Sequence, residues 1–221
     1  KKFLENVKNL NLKKIIFASS AAVYGNGSKK KIDERFDTKP VSPYGLSKLQ
    51  GEKLLGFIAK KKSFSSYSLR FFNIAGANVN IGCGPFNKSY KHIFNILLKK
   101  KIFFINGNNY DTKDGTCVRD YVNVSDVSEA IYKLLKRNEI NPNNYILNCG
   151  SGKGISVKSI ANEFKKKVKN DLFIKVGKKR KGDPTSIISN NLKIKKLISI
   201  KFKNSNLSKI LNEYDQWNKS K

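Results

Sequence analysis

Apolar positions in this chain recur at two spacings, one of strands and one of helices. KKIIFASS (13–20) is a short run of branched and aromatic residues ending in two serines, which predicts a buried parallel strand. A loop follows to about Pro40. Ser42 then has the character of an N-cap with Pro43 in the first turn, and Leu46, Leu49, Leu55 and Ile58 continue at helical spacing until the lysines after Ala59. Gly51 and Gly56 interrupt that helix, each at about 1 kcal/mol relative to alanine. SSYSLRFFNIAGA (65–77) predicts a second buried strand running into a small-residue turn, NVNIGCGPFNKSY a loop, and HIFNILLKK a helix. The first strand, the helix and the second strand make a βαβ unit.

Further on, IFFI (102–105) predicts a strand, DTKDGTCVRD (111–120) a polar loop, YVNV a strand, and SDVSEAIYKLLKR (125–137) a helix capped by Ser125 or Asp126. YILNCGSGKGIS predicts a strand and turn, SVKSIANEFKKKV a helix and LFIKV a strand. GKKRKGDPTSII is a loop, and two short helices end near EYDQW. Strands alternating with helices predict an α/β fold with a mostly parallel sheet. The chain shows neither an internal repeat nor a disordered linker.

In open parallel sheets ligands sit beyond the carboxyl ends of the strands, so the informative residues are those just after each strand. Ser19 and Ser20 follow the first strand, Asn73 follows the second, and Arg119 stands beside the fourth. Tyr44 and Lys48 open the intervening helix, four residues and so about one turn apart, on one face. A phenol, with an ordinary pKa near 10, acts as a base at neutral pH only when a neighbouring cation favours the phenolate. Lys48 supplies that cation. The glycine cluster GSGKGIS (150–156) fits neither the GxGxxG nor the P-loop template, and it predicts a tight turn into the helix that starts at Ser156.

At 221 residues the chain is long enough for one domain with a real core. Its three cysteines are scattered and it has one histidine, a pattern that predicts no disulfide, no metal site and a reducing, cytoplasmic setting. No run approaches the roughly 18 apolar residues of a membrane span, and KKFLENVKNLNLKK lacks the features of a signal peptide. The net charge of +29 raises the possibility of nucleic-acid binding. Yet only five of the 45 basic residues are arginines, and the lysines are spread through every segment. Sequence-specific readers favour arginine forks and exposed aromatics, so no specific nucleic-acid partner is predicted. Any DNA binding is expected to fall steeply with added salt and to ignore base sequence. A filter-binding titration with two unrelated duplexes checks this, and a tight complex with one of them at physiological salt contradicts it.

Taken in order, FASSAAVYG (17–25), SPYGLSKLQGE (42–52), SLRFFNIAGA (68–77), GNNYDTKDGTCVRDYVNVSDV (107–127), YILNCGSGKGISV (145–157) and KRKGDPTSI (179–187) resemble the extended short-chain dehydrogenase/reductases. Among these, the resemblance is nearest to the branch that inverts C4 of UDP-hexoses. It implies a partial Rossmann-like parallel sheet with a smaller C-terminal α/β region. Residues 1–76 are then the remaining part of an NAD-binding domain, and residues 77–221 form mainly the nucleotide-sugar region, with about 120–150 returning to the sheet. Ser20, Tyr44 and Lys48 are implied as catalytic residues that also touch NAD, with Phe72 lining the nicotinamide. Asn73, Arg119 and Arg180 are implied on the UDP diphosphate and Asp183 on its ribose. Tyr44 as phenolate takes the proton of the sugar 4-hydroxyl, Ser20 bridges the two, and Lys48, aided by an oxidised nicotinamide, favours the phenolate. The implied reaction interconverts UDP-glucose and UDP-galactose through a 4-keto sugar, and the implied complete protein is a homodimer.

The family's glycine-rich GxxGxxG turn belongs well before FASSAAVYG, and no such turn is present in these residues. The chain therefore resembles the C-terminal two-thirds of such an enzyme. By itself it is expected to bind UDP weakly, to retain no NAD and to leave UDP-glucose unconverted. An inactive remnant that only binds UDP is the corresponding alternative from another class. Within the family, a nucleotide-sugar 4,6-dehydratase would place an acidic pair where Ala21 and Ala22 stand. Ile187, at the position that gates sugar size, leaves UDP-N-acetylglucosamine open as a substrate.

Overall fold

In the computed structural model, residues 12–84, 92–139 and 141–220 are described. The N-terminal segment KKFLENVKN and part of the 78–90 loop lie outside them. Strand β1 (Lys14–Ser20) pairs in parallel with β2 (Ser65–Phe71), which pairs in parallel with β6 (Asn144–Cys149). The central strand β2 is buried along nearly its whole length, as expected for a strand covered on both faces.

Helix α1 (Pro43–Lys62) crosses from β1 to β2. Ser42 caps it, its side chain accepting a hydrogen bond from the Gly45 amide at 3.1 Å. The two glycines that weaken this helix serve its packing. A β-carbon at Gly51 would stand 2.6 Å from the Phe17 ring, and one at Gly56 2.7 Å from Asn144 Nδ2. The helix can thus lie close against β1 and β6.

Two strands differ from the sequence expectation. The run 65–77 is divided between two sheets: the Phe72 amide still bonds to Cys149 O at 3.1 Å, and then β3 (Asn73–Ala75) pairs with β5 (Val118–Asn123). Strand β5 begins inside the stretch expected to be a polar loop. Its residues Val118 to Asp120 pair with β7 (Gly154–Ser156) and, at Val118 and Arg119, with β9 (Ser186–Ile187), two short strands absent from the sequence expectation. Strand β4 (Ile102–Asn106) pairs with β8 (Phe173–Gly177).

The remaining helices are α2 (Ile93–Lys99), α3 (Val124–Lys136), α4 (Val157–Lys167), α5 (Leu192–Ile198) and α6 (Leu207–Lys219). The cap of α3 is Asn123, whose side chain accepts from the Ser125 amide at 2.8 Å, in place of the expected Ser125 or Asp126. Asp126 is instead fully buried, accepting from the Asn204 amide at 3.0 Å and from the Ser205 hydroxyl at 2.6 Å.

Two apolar centres result. One gathers Tyr67, Leu69, Val122, Leu134, Leu147 and Ile194 around the parallel sheet. The other gathers Phe94, Phe103, Tyr121, Phe164, Leu172 and Tyr214. Adjacent strand residues face opposite ways, so Tyr121 enters one centre and Val122 the other, and β5 is the wall between them. No helix among the described residues is long and apolar enough to cross a membrane.

Candidate active site

Beyond the carboxyl ends of β1 and β2 lies a cavity of about 600 Å³. Ser20, Tyr44, Lys48, Phe72, Asn73, Arg119, Arg180 and Asp183 all line it. They come from five separate stretches of chain. Ser20 ends β1, and its Oγ accepts from the Ala22 amide at 3.2 Å, capping a 3-10 turn at Ala21–Tyr24. Tyr44 and Lys48 occupy the first turns of α1, with the Lys48 ammonium 5.5 Å from the Tyr44 ring centroid and donating to the Ala18 carbonyl at 2.8 Å. More than half of Tyr44 is open to the cavity and solvent, at 56 % exposure. Phe72 is buried at the turn where the chain leaves β2 for β3.

On β5, Arg119 donates to Asp183 Oδ1 at 2.5 Å and to the Val118 carbonyl at 2.8 Å. Asp183 sits in a turn closed by its amide on the Arg180 carbonyl at 3.4 Å. Strand β9, immediately after Thr185, pairs with Val118 and Arg119 and so draws the 180–187 segment alongside β5. Beside them, burial pushes the Tyr121 phenol up to about 12, although a hydrogen bond with Asn73 and the Arg119 charge act the other way.

Cys117 and His92 are among the cavity residues that had no role in the sequence expectation. Cys117 directs its thiol to Asp183 Oδ2 at 3.7 Å, and burial pushes that thiol up against the pull of Tyr110 and Arg119. His92 precedes α2, and burial holds its imidazole below the ordinary 6.5, partly offset by a hydrogen bond with the Ile74 backbone. Because the folded value is depressed, the stability this neutral ring contributes is present above that ordinary value and is lost as pH falls through the lowered one. As the only histidine, it should give a single ring resonance whose NMR titration midpoint lies below 6.5. A midpoint at or above that value contradicts its burial.

The motif DGTCVRDYVNVSDV contains as much scaffold as site. Asp120, buried beside Arg119, accepts from the Ser151 amide and hydroxyl at 2.8 and 2.5 Å, from the Gly152 amide at 3.0 Å, and from the Ser189 amide and hydroxyl at 3.0 and 2.6 Å. The glycine turn GSGKG thus wraps an internal carboxylate, as a nest of amides would wrap an external anion. Ser156, expected as the first residue of the helix, ends β7 and caps α4, which starts one residue later.

Ile187 does not line the cavity. It packs on the apolar cluster of Ala21, Val23, Tyr24, Ile32 and Phe72, of which Phe72 alone lines the cavity. The 3-10 turn after Ser20 has no acid in it. All three cysteines are free thiols, and among the described residues no group of His, Cys, Asp and Glu side chains could hold a metal.

The donor set tests what this cavity can hold. A hydroxyl, a phenol, an ammonium and an aromatic ring, from Ser20, Tyr44, Lys48 and Phe72, fit a nicotinamide ribose and ring. Among the described residues the one glycine-rich turn before a helix is filled by Asp120, so no cradle for a cofactor pyrophosphate is found there.

The NAD dependent epimerase/dehydratase family matches residues 1–150. UDP-glucose 4-epimerase of Lactobacillus helveticus is 33% identical over 98% of this chain and 67% of its own length. A UDP-glucose 4-epimerase from Stenotrophomonas maltophila, solved with NAD and formylated UDP-arabinopyranose, superposes with a TM-score of 0.92 at 25% identity, over 98% of this chain and 66% of that one. The Bifidobacterium longum UDP-glucose 4-epimerase, solved with NAD+ and UDP, gives 0.87 at 27% identity, over 98% and 67%. The chain thus spans about two-thirds of the length of these relatives.

Proposed function

The chain belongs to the NAD dependent epimerase/dehydratase family, and from that premise we propose that the whole protein inverts C4 of a UDP-hexose, interconverting UDP-glucose and UDP-galactose through a 4-keto sugar. The observation that carries this reading is the convergence of all eight candidate residues on one cavity. NAD, when bound, supplies the reversible acceptor of the C4 hydride.

The chain's own residues do the rest. Tyr44 takes the proton of the 4-hydroxyl and returns it after the ketone has turned. Ser20, at the end of β1, holds the reacting oxygen by hydrogen bonding. Lys48, one helical turn from Tyr44, sets its ammonium 5.5 Å from the phenol ring centroid and, with Phe72, would hold the nicotinamide ribose and ring. Arg119 and Arg180 bind the diphosphate, since guanidinium forks give paired, charge-assisted hydrogen bonds to phosphate oxygens. Asn73 adds a neutral contact to the diphosphate, and Asp183 takes the uridine ribose while pairing with Arg119. On this reading residues 1–76, with about 120–150, form the cofactor sheet, and the rest of 77–221 holds the nucleotide sugar.

The absence of an acid at Ala21 and Ala22 favours inversion over loss of water. Incubation of the full-length protein with NAD and UDP-glucose should yield UDP-galactose, whereas a 4-keto-6-deoxy sugar as product would assign a dehydratase. Arg119→Ala should weaken UDP binding about 10- to 100-fold, the scale of a charge-assisted contact. Calorimetric titration with UDP checks this, and an unchanged affinity would remove Arg119 from the diphosphate site.

A further inference from the structure

Tyr44, Lys48 and Glu52 lie a turn apart on one face of α1, and Glu52 has no part in the chemistry above. It is buried, at 3 % exposure, and so is Arg70 on β2. Arg70 Nε donates to Glu52 Oε1 at 2.9 Å and Nη2 to Oε2 at 2.7 Å, a two-pronged pair. The Ser19 hydroxyl donates to Glu52 Oε1 as well. The third nitrogen, Arg70 Nη1, donates to the Tyr24 hydroxyl at 2.9 Å, and that hydroxyl donates to Asn148 on β6 at 2.7 Å.

One carboxylate therefore ties together α1, β1 and β2. Each of these carries site residues close to the tie: Ser20 follows Ser19, Phe72 and Asn73 follow Arg70, and Lys48 precedes Glu52 by one turn. A second consequence concerns charge. Four residues apart on a helix, Glu52 is within reach of Lys48, but Arg70 holds its carboxylate and the Lys48 ammonium turns to the Ala18 carbonyl and the cavity. Buried ion pairs add little net stability, while their fixed forks dictate geometry.

We propose that the Glu52–Arg70 pair is the positioning device of this site, setting α1 against β1 and β2 so that Tyr44, Lys48 and Ser20 share one frame, and keeping the Glu52 carboxylate off Lys48. The proposal rests on the assignment of those three residues to proton transfer. A misplacement of about 1 Å at a reacting group can lower turnover about a hundredfold. Of the UDP residues, Arg119, Arg180 and Asp183 stand on other elements and do not lean on the pair, while Asn73, three residues past Arg70, adds only a neutral contact.

The test uses the full-length protein with Glu52→Gln, and Ser19→Ala as a milder variant that removes a single hydroxyl should Glu52→Gln fail to fold. Glu52→Gln should lower kcat about 10- to 100-fold, with KM and the UDP dissociation constant within about twofold, and Ser19→Ala should lower kcat alone by a few-fold. Crystal structures of the variants give a readout without turnover: the Tyr44 hydroxyl and Lys48 ammonium should shift relative to Ser20. If the unmodified protein binds UDP but does not invert C4, the functional proposal falls and this displacement alone decides the role of the pair. Native kcat, a parallel loss of UDP affinity and kcat, or an unmoved Tyr44 would each overturn it.

Discussion

Replacing Tyr44 by phenylalanine in the full-length protein is expected to cut turnover of UDP-glucose by about a hundredfold or more, the scale of lost acid–base catalysis. The substitution removes one oxygen from a ring that is more than half exposed, so it perturbs neither the core nor the helix. UDP affinity should stay within about twofold, because Arg119, Arg180 and Asp183 are untouched. A fall in kcat with constant KM is the signature of an interaction made in the transition state. Steady-state kinetics over a range of UDP-glucose concentrations measures it, and a native rate would remove Tyr44 from the chemistry.

The second large effect falls on stability. Asp120→Ala should destabilise the fold by on the order of 4 kcal/mol, because it strips one buried carboxylate from five donors at Ser151, Gly152 and Ser189. Those donors lie on the glycine turn and on the segment after β9, and each loses its acceptor. For a chain of this size the midpoint of thermal unfolding should fall by about 10 °C. Differential scanning calorimetry measures it. A shift of only a degree or two would mean that the turn and the segment hold their places without Asp120.

What the sequence disclosed and what it hid follow from the same physics. The β1–α1–β2 unit was legible because β1 carries the apolar run IIFA, β2 carries Tyr67, Leu69 and Phe71 at strand spacing, and Ser42 and Pro43 mark the helix start. The candidate site was legible because its residues follow the strands and recur in order along the chain. Strand β5 was hidden at Val118–Asp120, where a polar, glycine-containing context looks like loop. Its polar residues are tolerated because each has a partner, Arg119 in Asp183 and Asp120 in two serines and a glycine amide. Hydropathy carries no record of such partners. The division of 65–77 was hidden for a different reason, since SLRFFNIA has no glycine or proline that marks the switch of sheets at Phe72. Glu52 had no role in the sequence expectation, and its partner Arg70 is 18 residues away on another element. Gly51 and Gly56 looked like weaknesses of the helix, and only the positions of Phe17 and Asn144 explain them.

The most direct test of C4 inversion follows the hydrogen itself. UDP-glucose carrying deuterium at C4 is incubated with the full-length protein and NAD, and the product is read by NMR. Transfer away from C4 and back within one bound complex predicts UDP-galactose with the deuterium still at C4. Loss of the label to water, or the absence of UDP-galactose while UDP still binds, would contradict the assignment.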